Sequence, residues 1–214
     1  MGELERLSLF FDINEIHKPY FRRLKRLMDL LAAAVGLLLL SLALPLVILG
    51  NLIGNRGSLF YGQLRVGKDG HIFKMWKFRT MTAAGVKSTD LPAWTEEDDP
   101  RVTPFGRLLR KSHLDELPQA VNLCYGELSL VGPRPEQPHY VDQLERVIPF
   151  YQLRHVVKPG LTGWAQVNNG YSSTEEGALR KLQYDFQYMR RQNIGFDLLV
   201  LWRTIRSISR FSGR

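Results

Sequence analysis

Apolar residues are spread unevenly along this chain. From Leu30 to Asn55 no side chain is charged, and its centre reads LLAAAVGLLLLSLALPLVILGNLI from Leu30 to Ile53. Such a run is long enough to cross a hydrocarbon core and too apolar to face water. Both flanks are basic: Lys18, Arg22, Arg23, Lys25 and Arg26 precede it, and Arg56, Arg65 and Lys68 follow. Basic flanks favour the cytoplasmic side, so the run can enter and leave by one face. Pro45 predicts a kink within it, because proline removes a backbone hydrogen bond. The residues alone leave a kinked spanning helix and a bent re-entrant helix both open.

Around the run, the pattern predicts further elements. Residues 1–17 are weakly patterned, with Leu4, Leu7, Phe10 and Phe11 able to form a short amphipathic element. Tyr20 to Asp29 reads as a basic helix feeding the apolar run, where Lys25 and Asp29 can pair. Ser58–Arg65 and His71–Met81 read as strands of a hairpin around Asp69-Gly70, a strong turn signal. Ala83 to Pro100 is small, polar and acidic, hence a surface loop. Thr103-Pro104 opens a helix to about Lys111. Ser112–Tyr125 continues helically with an interruption at Pro118, and Gly132–Pro138 is an irregular loop. Tyr140–Leu153 reads as helix broken at Pro149, Lys158–Gly170 as loop, and Thr174–Arg191 as a capped helix. Phe196–Phe211 is amphipathic: Leu198, Leu201, Trp202, Ile205 and Ile208 oppose Arg203, Arg206 and Arg210. That face suits either a membrane surface or a protein core.

Composition narrows the picture. The chain has 214 residues, a formal net charge of +8 and one cysteine, Cys124. One cysteine excludes an internal disulfide framework. Beside a membrane segment, the positive charge points to anionic lipids or a phosphorylated substrate rather than nucleic acid. No helix-turn-helix, RNP aromatic pair or zinc spacing supports a nucleic-acid reading. Walker, Rossmann and nucleophile-elbow patterns are missing too.

Three groups of residues carry candidate chemistry. Asp115-Glu116 is a carboxylate pair; with Ser112 capping the helix start, Asp115 falls near the positive end of the dipole and stays ionised. Such a carboxylate can be a nucleophile or a ligand for Mg²⁺, or simply part of a capping box. In Gly132-Pro133-Arg134-Pro135, two prolines stiffen the backbone around an arginine suited to phosphate, though a plain rigid turn reads the same way. Lys77 and Arg79 share one strand face by period two, which serves phosphate binding or a charged sheet edge.

Taken in order, these segments resemble one family. The apolar segment with its central proline is followed by Arg65-Val66-Gly67, Phe73-Lys74-Met75-Trp76-Lys77-Phe78-Arg79-Thr80-Met81 and Leu114-Asp115-Glu116-Leu117-Pro118-Gln119. Then come Asn122-Leu123, Ser129-Leu130-Val131-Gly132-Pro133-Arg134-Pro135, and Lys158-Pro159-Gly160-Leu161-Thr162-Gly163-Trp164-Ala165-Gln166-Val167-Asn168. This set is similar to the bacterial sugar transferases, the monotopic polyprenol-phosphate phosphoglycosyl transferases, over about residues 22 to 206.

The resemblance implies a mostly helical, mixed α/β monotopic membrane protein. It would have a Pro45-broken re-entrant helix, a small β-hairpin and amphipathic interfacial helices. Residues 1–29 form an N-terminal basic segment, 30–55 the re-entrant helix and 56–214 a cytosolic catalytic domain. The implied reaction moves a sugar 1-phosphate from a UDP-sugar to undecaprenyl phosphate, releases UMP and begins polysaccharide or glycoconjugate synthesis, at the cytoplasmic face of the bacterial inner membrane. Asp115 is the implied nucleophile, forming a covalent phosphosugar with Mg²⁺ assisting, and Glu116 assists proton transfer or orientation. Arg134, flanked by Pro133 and Pro135, is implied to bind phosphate or nucleotide. Lys77, Arg79, Arg110 and Gln166 complete the candidate substrate contacts, and Asp115 is the candidate metal ligand. Anionic lipids are expected partners, and a homo-oligomer is left open. Two departures are Leu44-Pro45 where members have Ser-Pro, and Asn168-Asn169-Gly170 where they have Asn-Gly. The chain reads as a small-type member or the catalytic part of a large-type one. A non-catalytic, basic membrane adaptor is the alternative.

Overall fold

A computed structural model describes residues 19–55, 57–82, 99, 101–168 and 174–210. The expectations for residues 1–17, for Arg56, for nearly all of the 83–100 loop and for Asn169-Gly170 lie outside these.

Helix α1 spans Pro19–Gly50 and passes into a π-helical turn at Asn51–Asn55. The basic lead-in and the apolar run are thus one helix. Residues on both sides of Pro45 are helical, so the helix continues past the proline. Proline costs a single donor there, and packing holds the next turn, where Val47 is buried against Phe78 and Leu109.

One face of α1 lies against the rest of the protein along the helix. Ala33 packs on Phe73, Met75, Leu123 and Leu128. Leu40, Ala43, Leu44 and Val47 pack near Phe78 and Leu109. Between these, Gly36 lets the backbone approach Ala120, since a Cβ there would lie 2.8 Å from that of Ala120. These positions recur every three or four residues, as a packed helical stripe requires. The opposite face exposes Leu31, Val35, Leu38, Leu42, Leu46 and Leu49.

Strands β1 (Phe60–Val66) and β2 (Ile72–Phe78) pair antiparallel, Phe60 opposite Phe78 and Val66 opposite Ile72. The turn needs positive φ at Asp69 (55°) and Gly70 (77°), which the Asp-Gly pair supplies. Helix α2 (Pro104–Lys111) starts as expected, with the Thr103 hydroxyl accepting from the Gly106 N–H at 2.8 Å. A 3-10 turn at Leu114–Glu116 leads to α3 (Gln119–Tyr125), strand β3 (Ser129–Val131) and α4 (Pro138–Val147). A second 3-10 turn, Tyr151–Val156, precedes β4 (Gly160–Thr162), which pairs parallel to β3. Helix α5 (Trp164–Asn168) follows, so the segment expected to be loop holds a strand and a helix. Both are too short for a periodic signal. Helices α6 (Glu175–Arg191, capped by Thr174) and α7 (Ile194–Arg210) close the fold. The protein is therefore mostly helical with a small antiparallel hairpin. Helix α7 divides its apolar residues: Val200 is fully buried beside Tyr188 and Met189, while Leu198, Trp202 and Ile205 are exposed.

Charges at the start of α1 fasten it to this body. The Lys25 ammonium donates to Asp197 of α7 at 2.6 Å, to the Val131 carbonyl at 2.9 Å and to the Tyr188 hydroxyl at 3.2 Å. Arg26 donates to the carbonyls of Leu123 and Cys124, capping the end of α3. Asp29, which the sequence allowed to pair with Lys25, instead accepts from the Ser129 hydroxyl and the Leu130 N–H. Removing one member of a buried pair strands the other charge, at a cost of about 3–5 kcal/mol. Lys25→Met should lower stability by about that amount. Adding Asp197→Leu should recover at least about 1 kcal/mol relative to the sum of the two single losses, as read by a double-mutant cycle in micelles.

Candidate active site

The acidic pair sits on the short turn between α2 and α3, reached through His113 in a left-handed conformation (φ 55°). Ser112 does not cap this turn. Its hydroxyl bonds back to the carbonyls of Leu108 and Leu109, sealing the end of α2. The turn is anchored by Leu114 and Leu117, which pack into the cluster containing Val47 of α1. Pro118 behind it is fully buried.

The two carboxylates are held differently. Glu116 accepts from the Lys77 ammonium at 2.7 Å and lies 4.0 Å from the Arg134 guanidinium. Burial opposes its ionisation, but Lys77 and Arg134 outweigh burial and hold its pKa down at about 2. Asp115 is buried, and among the described residues no cation lies within 4.0 Å of it. Burial pushes its carboxyl above the usual range, opposed by Lys77 and Arg110. The expected dipole-lowered Asp115 is thus corrected: desolvation dominates, because the turn has no side-chain cap and no long helix follows directly. A carboxyl held this low stays ionised at neutral pH between Lys77 and Arg134.

Arg134 is placed by its backbone, which is bonded at each residue of the proline loop. Gly132 N–H donates to the Thr162 carbonyl, and the Pro133 carbonyl accepts from the Gly160 N–H, both at 2.9 Å. The Arg134 carbonyl accepts from Arg154 and the Pro135 carbonyl from Arg65, each at 2.9 Å. Arg154 is itself buried and paired with Asp185 at 2.8 Å. The rigid loop inferred from two prolines is therefore clamped from four directions.

The remaining candidates separate. Arg110 donates to the Thr80 hydroxyl at 3.0 Å and bears on Asp115 electrostatically. Arg79 lies instead against Gly57, and its carbonyl accepts from Asn55. Lys77 and Arg79 alternate with the buried Phe78 and Thr80, so they share a strand face as period two predicts, but only Lys77 reaches the acidic pair. Gln166 uses its amide N–H on the Leu161 carbonyl and so steadies β4. Arg65, Arg154 and Asp185 carried no assigned role from sequence. Asp185 was findable, as an acid in register with Leu182 and Met189 on the inner face of α6.

Among the described residues, no cluster of three or more metal-ligating side chains occurs. Mg²⁺ commonly takes one or two carboxylates and completes its shell with substrate phosphates and water. Asp115, beside the cation-held Glu116, fits that donor set.

An acidic turn faced by Lys77 and Arg134 thus sits on a mostly helical α/β body fastened to an apolar helix of membrane length. The chain belongs to the bacterial sugar transferase family, which it matches over residues 20–210. It is 40% identical over 191 residues to a UDP-N-acetylgalactosamine-undecaprenyl-phosphate N-acetylgalactosaminephosphotransferase of Aeromonas hydrophila, covering 89% of this chain and 44% of that protein. It is 38% identical over 186 residues to a UDP-glucose:undecaprenyl-phosphate glucose-1-phosphate transferase of Escherichia coli, covering 86% of this chain and 40% of that one. The chain thus spans under half the length of these two relatives. Against the exopolysaccharide production protein ExoY of Rhizobium meliloti it is 35% identical over 204 residues, covering 89% of this chain and 88% of that protein.

The clamp on the proline loop leaves no room at β4. A Cβ on Gly160 would come within 2.1 Å of the Gly132 nitrogen. Gly160→Ala should destabilise the protein by about 1–3 kcal/mol through overpacking, and thermal unfolding in micelles would measure it.

Proposed function

We propose that this protein transfers a sugar 1-phosphate from a UDP-sugar to undecaprenyl phosphate, releasing UMP. The observation that carries the reading is the unequal treatment of the two acids: Glu116 is committed to Lys77 and Arg134, while among the described residues no cation lies within 4.0 Å of Asp115. A nucleophile needs an unengaged oxygen, and the cations beside it are where a diphosphate would lie. The names of the relatives describe this transfer.

In the proposed first step, an Asp115 carboxylate oxygen bonds to the β-phosphorus. The bond from that phosphorus to the bridging oxygen breaks, and UMP leaves with the oxygen. In the second, an oxygen of undecaprenyl phosphate bonds to the same phosphorus and the Asp115 oxygen leaves. The product is a polyprenyl diphosphosugar, and Asp115 is restored. Glu116 holds Lys77 and Arg134 against the phosphates through both steps. Burial raises the energy of the Asp115 anion, which favours attack once the substrate's surroundings replace water. Mg²⁺, bound at Asp115 and the diphosphate, would neutralise charge developing on the phosphates.

The proposal places both ends of α1 on the cytoplasmic side of the bacterial inner membrane. Supporting it, the charged start of α1 and its last turns pack on the same body, so a perpendicular crossing would draw that body's charges into hydrocarbon. The outer leucine stripe and the exposed ridge of α7 are left for lipid.

Asp115→Asn should abolish UMP release from UDP-sugars in the presence of undecaprenyl phosphate; undiminished turnover would refute the reading. Single cysteines before Tyr20 and after Arg56 should react only with a reagent on the cytoplasmic side, and periplasmic labelling of either would restore a spanning helix.

A further inference from the structure

The proline loop has a second side. Two residues beyond Arg134, Glu136 lines a cleft of about 380 Å³ between α4, the Tyr151–Val156 turn and the start of α6. Tyr140, Gln143, Ala178, Lys181 and Leu182 form other parts of its wall. Its volume falls at the lower end of the about 300–1,000 Å³ of small-ligand sites.

The cleft is distinct from the acidic turn but tied to it. Glu136 lies 3.7 Å from the Arg65 guanidinium, which also bonds the Pro135 carbonyl. Arg154, in the cleft wall, donates to the carbonyl of Arg134. Two residues of chain span at most about 7 Å. The cleft wall and Arg134 are thus parts of one loop, held by the same arginines.

We propose, on the transferase reading above, that this cleft receives the sugar ring of the nucleotide sugar and selects among sugars. Ring hydroxyls need both acceptors and donors, which the Glu136 carboxylate, the Tyr140 hydroxyl and the Lys181 ammonium provide. Ala178 and Leu182 offer apolar surface for the C–H face of the ring. A phosphate is disfavoured beside Glu136. A nucleobase would need an open aromatic face, but the Tyr140 ring sits 3.9 Å from that of His139 and the Arg154 guanidinium lies over Tyr151 at 5.1 Å.

The test uses the full chain in micelles with undecaprenyl phosphate and a panel of UDP-sugars. UMP release gives kcat/KM for each sugar, and inhibition by UDP gives the affinity for the nucleotide alone. Glu136→Gln keeps the side chain's shape beside Arg65, and Ala178→Met narrows the cleft from the opposite wall. Both should change the kcat/KM ratio between the preferred and next-best sugar about tenfold or more, while inhibition by UDP shifts less than about twofold. Unchanged ratios in both variants, with turnover intact, would overturn the subsite alone. An equal loss of UDP affinity would assign the cleft to the nucleotide and overturn it too. Failure of the unaltered chain to release UMP from any UDP-sugar would overturn the transferase reading and the subsite with it.

Discussion

The structure depends on how an apolar helix of membrane length is bound to a polar body. Hydrophobic burial cannot do this alone, because a leucine gains little by leaving lipid for protein. The inner face of α1 therefore uses small residues for close approach at Ala33 and Gly36, and buried charges at its start. Lys25, Arg26 and Asp29 lie within five consecutive residues of chain. Between them they satisfy the end of α3, the start of β3 and the acid of α7. Of these, the part-buried Leu130 N–H has the Asp29 carboxylate as its acceptor, and a buried donor left unmet costs about 1–3 kcal/mol.

The candidate site inherits its geometry from that attachment. Val131, whose carbonyl Lys25 holds, is the residue before Gly132, where the proline loop begins. Leu114 and Leu117, which set the acidic turn, pack against the far part of the same helix. Both halves of the site thus lean on α1 at points well separated along its axis. A shift of the helix would move the acids relative to Arg134. For the proposed transfer this would join chemistry to the apolar helix, keeping the site at a depth where a lipid phosphate and a soluble nucleotide sugar could meet.

Much of this was legible in the sequence wherever a local rule had no competitor. The apolar run, the Asp69-Gly70 hairpin, the Thr103-Pro104 start and the Thr174 cap each follow from backbone chemistry within a few residues. The acidic pair and Arg134 were legible as residues, and the ordered motifs tied them to one family. The errors arose where distant chain decided. Ser112 closed α2 rather than opening the next turn, so Asp115 met desolvation rather than a dipole. Arg79 kept the face it shares with Lys77, but its guanidinium lies against Gly57, a contact set by distant chain. Strand β4 and helix α5 are too short to announce themselves, yet β4 is what the proline loop leans on.

That loop shows why a rigid phosphate ligand needs more than prolines. Two prolines fix φ at two residues but leave the carbonyls free to rotate with ψ. Here the carbonyls of Pro133, Arg134, Pro135 and Glu136 each accept a bond, from β4, Arg154, Arg65 and β1 respectively. Two of those four donors are arginines, and each is itself paired, Arg154 with Asp185 and Arg65 with Glu136. The cations nearest the loop are thereby tied into structure by acids of their own. Arg134 has its backbone held in the same way, while its guanidinium lies 4.0 Å from Glu116 of the acidic turn. In this structure Arg65 and Arg154 hold the loop through its carbonyls, and the prolines alone would leave those carbonyls free to turn.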